Sequence, residues 1–168
     1  MTPAEVVSEI RRVFDRDPEK ELAGLADRLR RAGGDEAFHA LFPIASRGQS
    51  LGPAAGAAWL LLRVNPRCPI SCLEATRELL TDWDVSIEEV PFYLAEQFGS
   101  ALVREAVVVL RRTISAEKQL QTLSTIEYWL GCSDEMQASK TKERNAEPSA
   151  PPHGPSSTVK SDGSLVIN

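Results

Sequence analysis

Cys68 and Cys72, four residues apart, are the first side chains whose types and spacing could do chemistry. On one helix they would share a face, and could then hold a metal or form a redox pair. Their context argues otherwise. Pro69 and the Ser71-x-x-Glu74 capping box put Cys68 in the turn before a helix that begins at Cys72. A zinc site wants four ligands, and Cys132, His39 and His153 lie far off in sequence. The two thiols therefore read as buried and free. His39 sits beside Phe38, Leu41 and Phe42, a setting for a packed or surface imidazole rather than a base. His153 falls in a Pro/Ser-rich segment with nothing to hold it in a catalytic geometry. The chain contains no G-x-S-x-G elbow, no phosphate-cradling glycine loop and no H-E-x-x-H. No catalytic residue, metal ligand or cofactor is expected.

The acidic group around residue 83 carries more. Asp82, Asp84, Glu88, Glu89 and Glu96 cluster about Trp83, Phe92 and Tyr93. Part of this is explained by helix chemistry. Glu88 and Glu89 fall in a first helical turn, where carboxylates complement the dipole, and Ser86-x-x-Glu89 reads as a capping box. Trp83, at a turn between helices, could be a lid on the core. As a surface, aromatic rings rimmed by carboxylates suit a basic protein partner. The sequence predicts such a patch, exposed around Trp83 and Tyr93. Paired carboxylates could also do acid–base work, but that needs a cleft.

These residues must be positioned by helices. Thr2-Pro3-Ala4-Glu5 is a helix start, followed by Val6, Val7, Ile10, Val13 and Phe14 at helical spacing. Asp17-Pro18 repeats the signal, and Gly33-Gly34 ends the stripe Leu22, Leu25, Ala26, Leu29. Arg28, Arg30 and Arg31 close that helix, where positive charge complements the dipole. Asp35 heads a third helix in which Pro43 should kink or shorten the run. The fourth, from Gly52-Pro53, is apolar nearly all round, which places it centrally between neighbours. Ser71, Ser86, Ser100 and Ser115 head the rest, with the last helix expected to stop near Gly131. Successive starts at Asp17, Asp35, Gly52, Ser71, Ser86, Ser100 and Ser115 lie 14 to 19 residues apart. Each helix is short and each connection only a few residues, so neighbours must pack antiparallel. Pro91, counted from a cap at Ser86, falls past the first turn, so either the helix bends there, the favoured outcome, or Ser86 to Val90 forms a separate turn and the main helix begins at Pro91.

The expected architecture is all-α: about eight short antiparallel helices over residues 1–131, in a stack or an irregular bundle. Residues 132–168 read as a disordered tail. From Ser133 on, they hold seven serines, four prolines and no aromatic residue, too little apolar surface to offset ordering. Ser164-Leu165-Val166-Ile167-Asn168 within it could act as a docking peptide. Net charge is −5, with Lys and Arg scattered, which argues against a nucleic-acid face. Three cysteines in 168 residues do not make a disulfide framework. The N-terminus does not read as a signal peptide, and the longest apolar run, Ala57 to Leu62, is far from a membrane span. The default expectation is a soluble cytoplasmic protein.

Val90 to Arg112, VPFYLAEQFGSALVREAVVVLRR, resembles a HEAT-type helical repeat. Pro91 stands in the first helix, Gly99-Ser100 at the tight turn, Val103-Arg104 opening the second helix, and Ala106 one turn on. Asp17 to Gly48 and Gly52 to Asp82 match only in helix length and spacing. The resemblance implies a right-handed stack of helix pairs used for protein binding, without enzyme chemistry. The expected function is thus a scaffold, adaptor or inhibitor. Two alternatives are a helical enzyme or accessory subunit using acidic residues near Trp83, and an immunity or antitoxin-type protein whose acidic charge neutralises a basic toxin.

Overall fold

A computed structural model describes residues 2–14, 18–47 and 50–146, and among these there are eight helices and no strand. They are α1 (Pro3–Phe14), α2 (Pro18–Ala32), α3 (Gly34–Arg47), α4 (Leu51–Val64), α5 (Cys72–Asp82), α6 (Glu89–Phe98), α7 (Ser100–Arg111) and α8 (Glu117–Ala146). The all-α expectation holds. Consecutive helices pair as hairpins: α1 with α2, α3 with α4, α5 with α6, α7 with α8. The pairs then stack in register. α1, α3, α5 and α7 pack successively on one another, as do α2, α4, α6 and α8, giving two layers. One hairpin cannot bury its own apolar face, so each depends on the next.

α4 occupies the centre, touching α1, α2, α3 and α6. Its composition explains this. Ala54, Gly56, Ala57 and Ala58 are buried and small enough for neighbours to come close, while Leu60 and Leu61 fill the space beyond. Burying each leucine contributes about 2 kcal/mol. The helix ends at Asn65, which adopts the left-handed conformation (φ 51°) and donates its N–H to the Leu61 carbonyl at 2.9 Å. From α2, Arg30 reaches across to the Arg63 carbonyl at 2.7 Å, satisfying another terminal acceptor.

Several sequence expectations are corrected. α3 is not cut short by Pro43 but continues four residues to Arg47. The proline is exposed, whereas Ile44, Ala45 and Ser46 beyond it are buried, and their packing outweighs the lost backbone bond. Asp35 lies inside the first turn of α3 rather than at its cap, because Gly33 (φ 113°) makes the preceding reversal. Ser100 is the first residue of α7, with Gly99 (φ 82°) ahead of it. Its hydroxyl donates to Asp134 at 2.7 Å instead of capping. α8 begins two residues after Ser115. Asp17 lies outside the described residues.

The largest correction concerns α8, which does not stop at Gly131 but runs to Ala146. Gly131 does not take the positive φ of a helix-ending glycine, Ser133 is buried, and Asp134 accepts hydrogen bonds from Ser100 and from Arg104 at 2.6 Å. These contacts hold the helix against α7 where composition alone suggested a tail. Residues 147–168, including Ser164 to Asn168, lie outside the described residues.

Candidate functional site

The chain leaves α5 at Trp83, an extended C-cap (φ −64°, ψ 133°) whose ring folds back into the core at 5% exposure. Its indole Nε1 has no acceptor among the described residues. Asp84 then builds the turn. Its Oδ1 accepts the Ser86 backbone N–H at 3.0 Å and the Ser86 hydroxyl at 2.7 Å, and these bonds hold its carboxyl below the ordinary range. Ser86 is therefore committed to Asp84, and the expected capping box with Glu89 does not form. α6 starts at Glu89, so Pro91 is its third residue, within the first turn, where no helical N–H bond is lost. A separate turn followed by a short helix replaces the expected bend.

Tyr93 is fully buried. Its hydroxyl donates to the Pro66 carbonyl at 2.8 Å, and burial pushes the phenol far above its ordinary value. One turn on, Gln97 accepts the Cys68 backbone N–H at 3.0 Å and donates to Asn65 Oδ1 at 2.6 Å. Together these two side chains tie α6 to the loop joining α4 to α5. Cys68 and Cys72 are free and buried beside it, and burial pushes both thiols up. Trp83 and Tyr93 thus belong to the core, and the patch expected around their exposed rings is not formed. A helix stripe cannot put Tyr93 and Phe92 on one face, since neighbours diverge by about 100°.

A different aromatic group does reach the surface. Phe92, half-buried on α6, meets Trp129 of α8 edge-on, with ring centroids 6.3 Å apart. Tyr128 meets the same indole at 5.0 Å and is 63% exposed. Trp129 donates its Nε1 proton to the Val85 carbonyl at 3.0 Å, fixing the 83–88 turn against α8. Both helices belong to the layer of α2, α4, α6 and α8, so the rings bridge adjacent members of one layer. Tyr128 and Trp129 were missed as site residues. The stripe Leu123, Ile126, Leu130 marks the buried face of α8, and Tyr128 lies outside it, which is the one available signal.

Carboxylates rim these rings. Glu88 and Glu89 stand at the start of α6, and Glu96, exposed, shares a helical stripe with Glu89 and Phe92. Burial pushes the Glu89 carboxyl up, opposed by a hydrogen bond from its own N–H and reinforced by the charge of Glu88. The Tyr128 phenol is held up first by its hydrogen bond with the Cys132 side chain, then by the charges of Cys132, Glu135 and Glu88. Some acidic groups on other parts of the chain have partners: Arg104 with Asp134, Arg111 with Glu127, Arg47 with Glu78. Among the described residues no ion pair forms at Glu88, Glu89 or Glu96. Asp82 is exposed at the end of α5.

A concavity of about 310 Å³ lies apart from this face, between α1, α3 and the start of α4. Val7, Pro43, Ile44 and Pro53 line it with the Arg11 and Arg47 side chains. Among the described residues no group of three or more His, Cys, Asp or Glu side chains is placed to hold a metal ion. No helix is long and apolar enough to cross a membrane, again among the described residues. No family model matches the chain, and neither a curated protein nor a solved structure does so.

Proposed function

We propose that this chain is a non-enzymatic protein-binding module, a scaffold, adaptor or inhibitor, and that its partner docks on the α6–α8 face. One observation carries the reading: Phe92, Tyr128 and Trp129 form a contiguous aromatic cluster with Tyr128 left 63% exposed. Aromatic residues dominate the energetics of protein interfaces, and an exposed tyrosine beside an anchored indole offers area at low entropic cost. The two-layer stack of short hairpins supports the reading too, as does the resemblance of Val90 to Arg112 to a HEAT-type repeat, since stacked hairpins present extended surfaces to other proteins.

The test compares capture by the full chain with capture by its Tyr128→Ser variant. A partner retained in stoichiometric amount by the first and lost with the second is the expected result. A partner recovered equally with both places the interface elsewhere. Substrate turnover by the isolated chain that disappears in Glu88→Gln or Glu89→Gln would establish the enzyme reading instead.

A further inference from the structure

We propose that the partner meets this face with a basic segment. A lysine or arginine of that segment lies against the Tyr128 and Trp129 rings, with Glu88 and Glu89 as its counter-charges. This deepens the protein-binding reading and rests on it.

Geometry supplies the first argument. Phe92 and Tyr128 both meet the Trp129 indole steeply, with interplanar angles of 89° and 65°. The result is a corner of rings, its outer member exposed, with the electron-rich faces that attract cations. The indole N–H is already given to Val85, so the corner is held in place before any partner arrives. Charge supplies the second. Glu88 acts on Tyr128 and Glu89 stands one turn before Phe92, and neither forms an ion pair among the described residues, while Arg104 and Arg111 of α7 are engaged by Asp134 and Glu127. The charge of Glu88 reaches the Tyr128 hydroxyl from α6, so a carboxylate acts on the most exposed of the three rings.

Charge complementarity selects among occupants. A purely apolar partner would strip water from Glu88 and Glu89 and return nothing. An acidic protein or a nucleic acid would be repelled. A cation gains from the rings and from both carboxylates at once, and relieves the repulsion between Glu88 and Glu89.

The experiment titrates the full chain with three short synthetic peptides, in which glycine alternates with lysine, glutamine or glutamate. The readout is the Trp129 indole N–H resonance, assigned with Trp129→Phe. The lysine peptide should bind and shift that resonance, weakly at high salt, and the other two should not. Glu88→Gln/Glu89→Gln should weaken it about tenfold or more, whereas Asp35→Asn/Glu36→Gln, an equal charge change on α3, should leave it intact. Equal binding by both double variants, or equally tight binding of the glutamine peptide, overturns the proposal. A cellular partner lost with Tyr128→Ser but kept with Glu88→Gln/Glu89→Gln would sink the cationic contact alone. A partner indifferent to Tyr128→Ser would place the interface off the α6–α8 face and sink the proposal together with that choice of face.

Discussion

Two aromatic groups part company at the adjacent residues Phe92 and Tyr93 of α6 and do opposite things. Trp83 and Tyr93 face inward, at 5% and 0% exposure, and Tyr93 spends its hydroxyl on the α4–α5 loop. Phe92 and Trp129 are half-buried and Tyr128 is exposed; the Trp129 N–H goes to the Val85 carbonyl and the Tyr128 hydroxyl meets the Cys132 side chain on its own helix. Adjacent residues Phe92 and Tyr93 are divided between the groups because a helix turns about 100° per residue. The difference teaches where to look for function. The inner rings hold two hairpins together, whereas the outer rings bridge α6 and α8 and leave Tyr128 exposed.

Substitutions should separate the two groups, beginning with the inner one. Tyr93→Ala leaves a cavity and unties the loop, and should cost about 4 kcal/mol in chemical denaturation. Tyr93→Phe keeps the ring but leaves the buried Pro66 carbonyl without its donor, at a cost of about 1–2 kcal/mol. If Tyr93→Ala proved as mild as a surface change, the division into core and surface rings would be wrong.

Ending the chain at Gly131 tests the outer framework. That cut removes buried Ser133, the Asp134 contacts to Ser100 and Arg104, and the support beyond Tyr128. Both members of the Arg104–Asp134 pair are well exposed, so the expected loss is modest, about 1 kcal/mol. No change in thermal midpoint would mean that α8 past Gly131 contributes nothing to the stack.

A smaller effect is expected from pH. Glu89 has its folded value raised above the ordinary 4.5, so between the two the folded chain keeps a proton that the unfolded chain has released. Stability from this group therefore falls as pH rises through that window. Glu89 is only partly buried, so solvent screening keeps the change small. Glu89→Gln should flatten that part of the pH–stability curve and leave the region above neutrality nearly parallel to the parent.

Much of the fold could be read from residue types. Ser71 and Glu74 form their capping box, Thr2 and Glu5 form theirs, and the Ala- and Leu-rich segment after Gly52 is central. Local chemistry was enough wherever one helix end decides the matter. It failed where a second partner competes, whether close in sequence or across the fold. Ser86 could serve Glu89 or Asp84, and the turn won; Gly131 could end α8, but Asp134 found Ser100 and Arg104 across a hairpin. The site was half legible for the same reason. Glu88, Glu89, Phe92 and Glu96 could be nominated from one stretch, whereas Tyr128 and Trp129 come from a helix some 36 residues on from Phe92. Only the packing of α6 on α8 brings them together.

The most direct test of the central claim measures two properties of Tyr128→Ala together: its thermal midpoint and its affinity for the lysine peptide. A ring that is 63% exposed should yield a stability change within about 0.5 kcal/mol, while affinity falls about tenfold. A large drop in midpoint with unchanged affinity would contradict the account, for it would make Tyr128 another core residue and leave the α6–α8 face without a function.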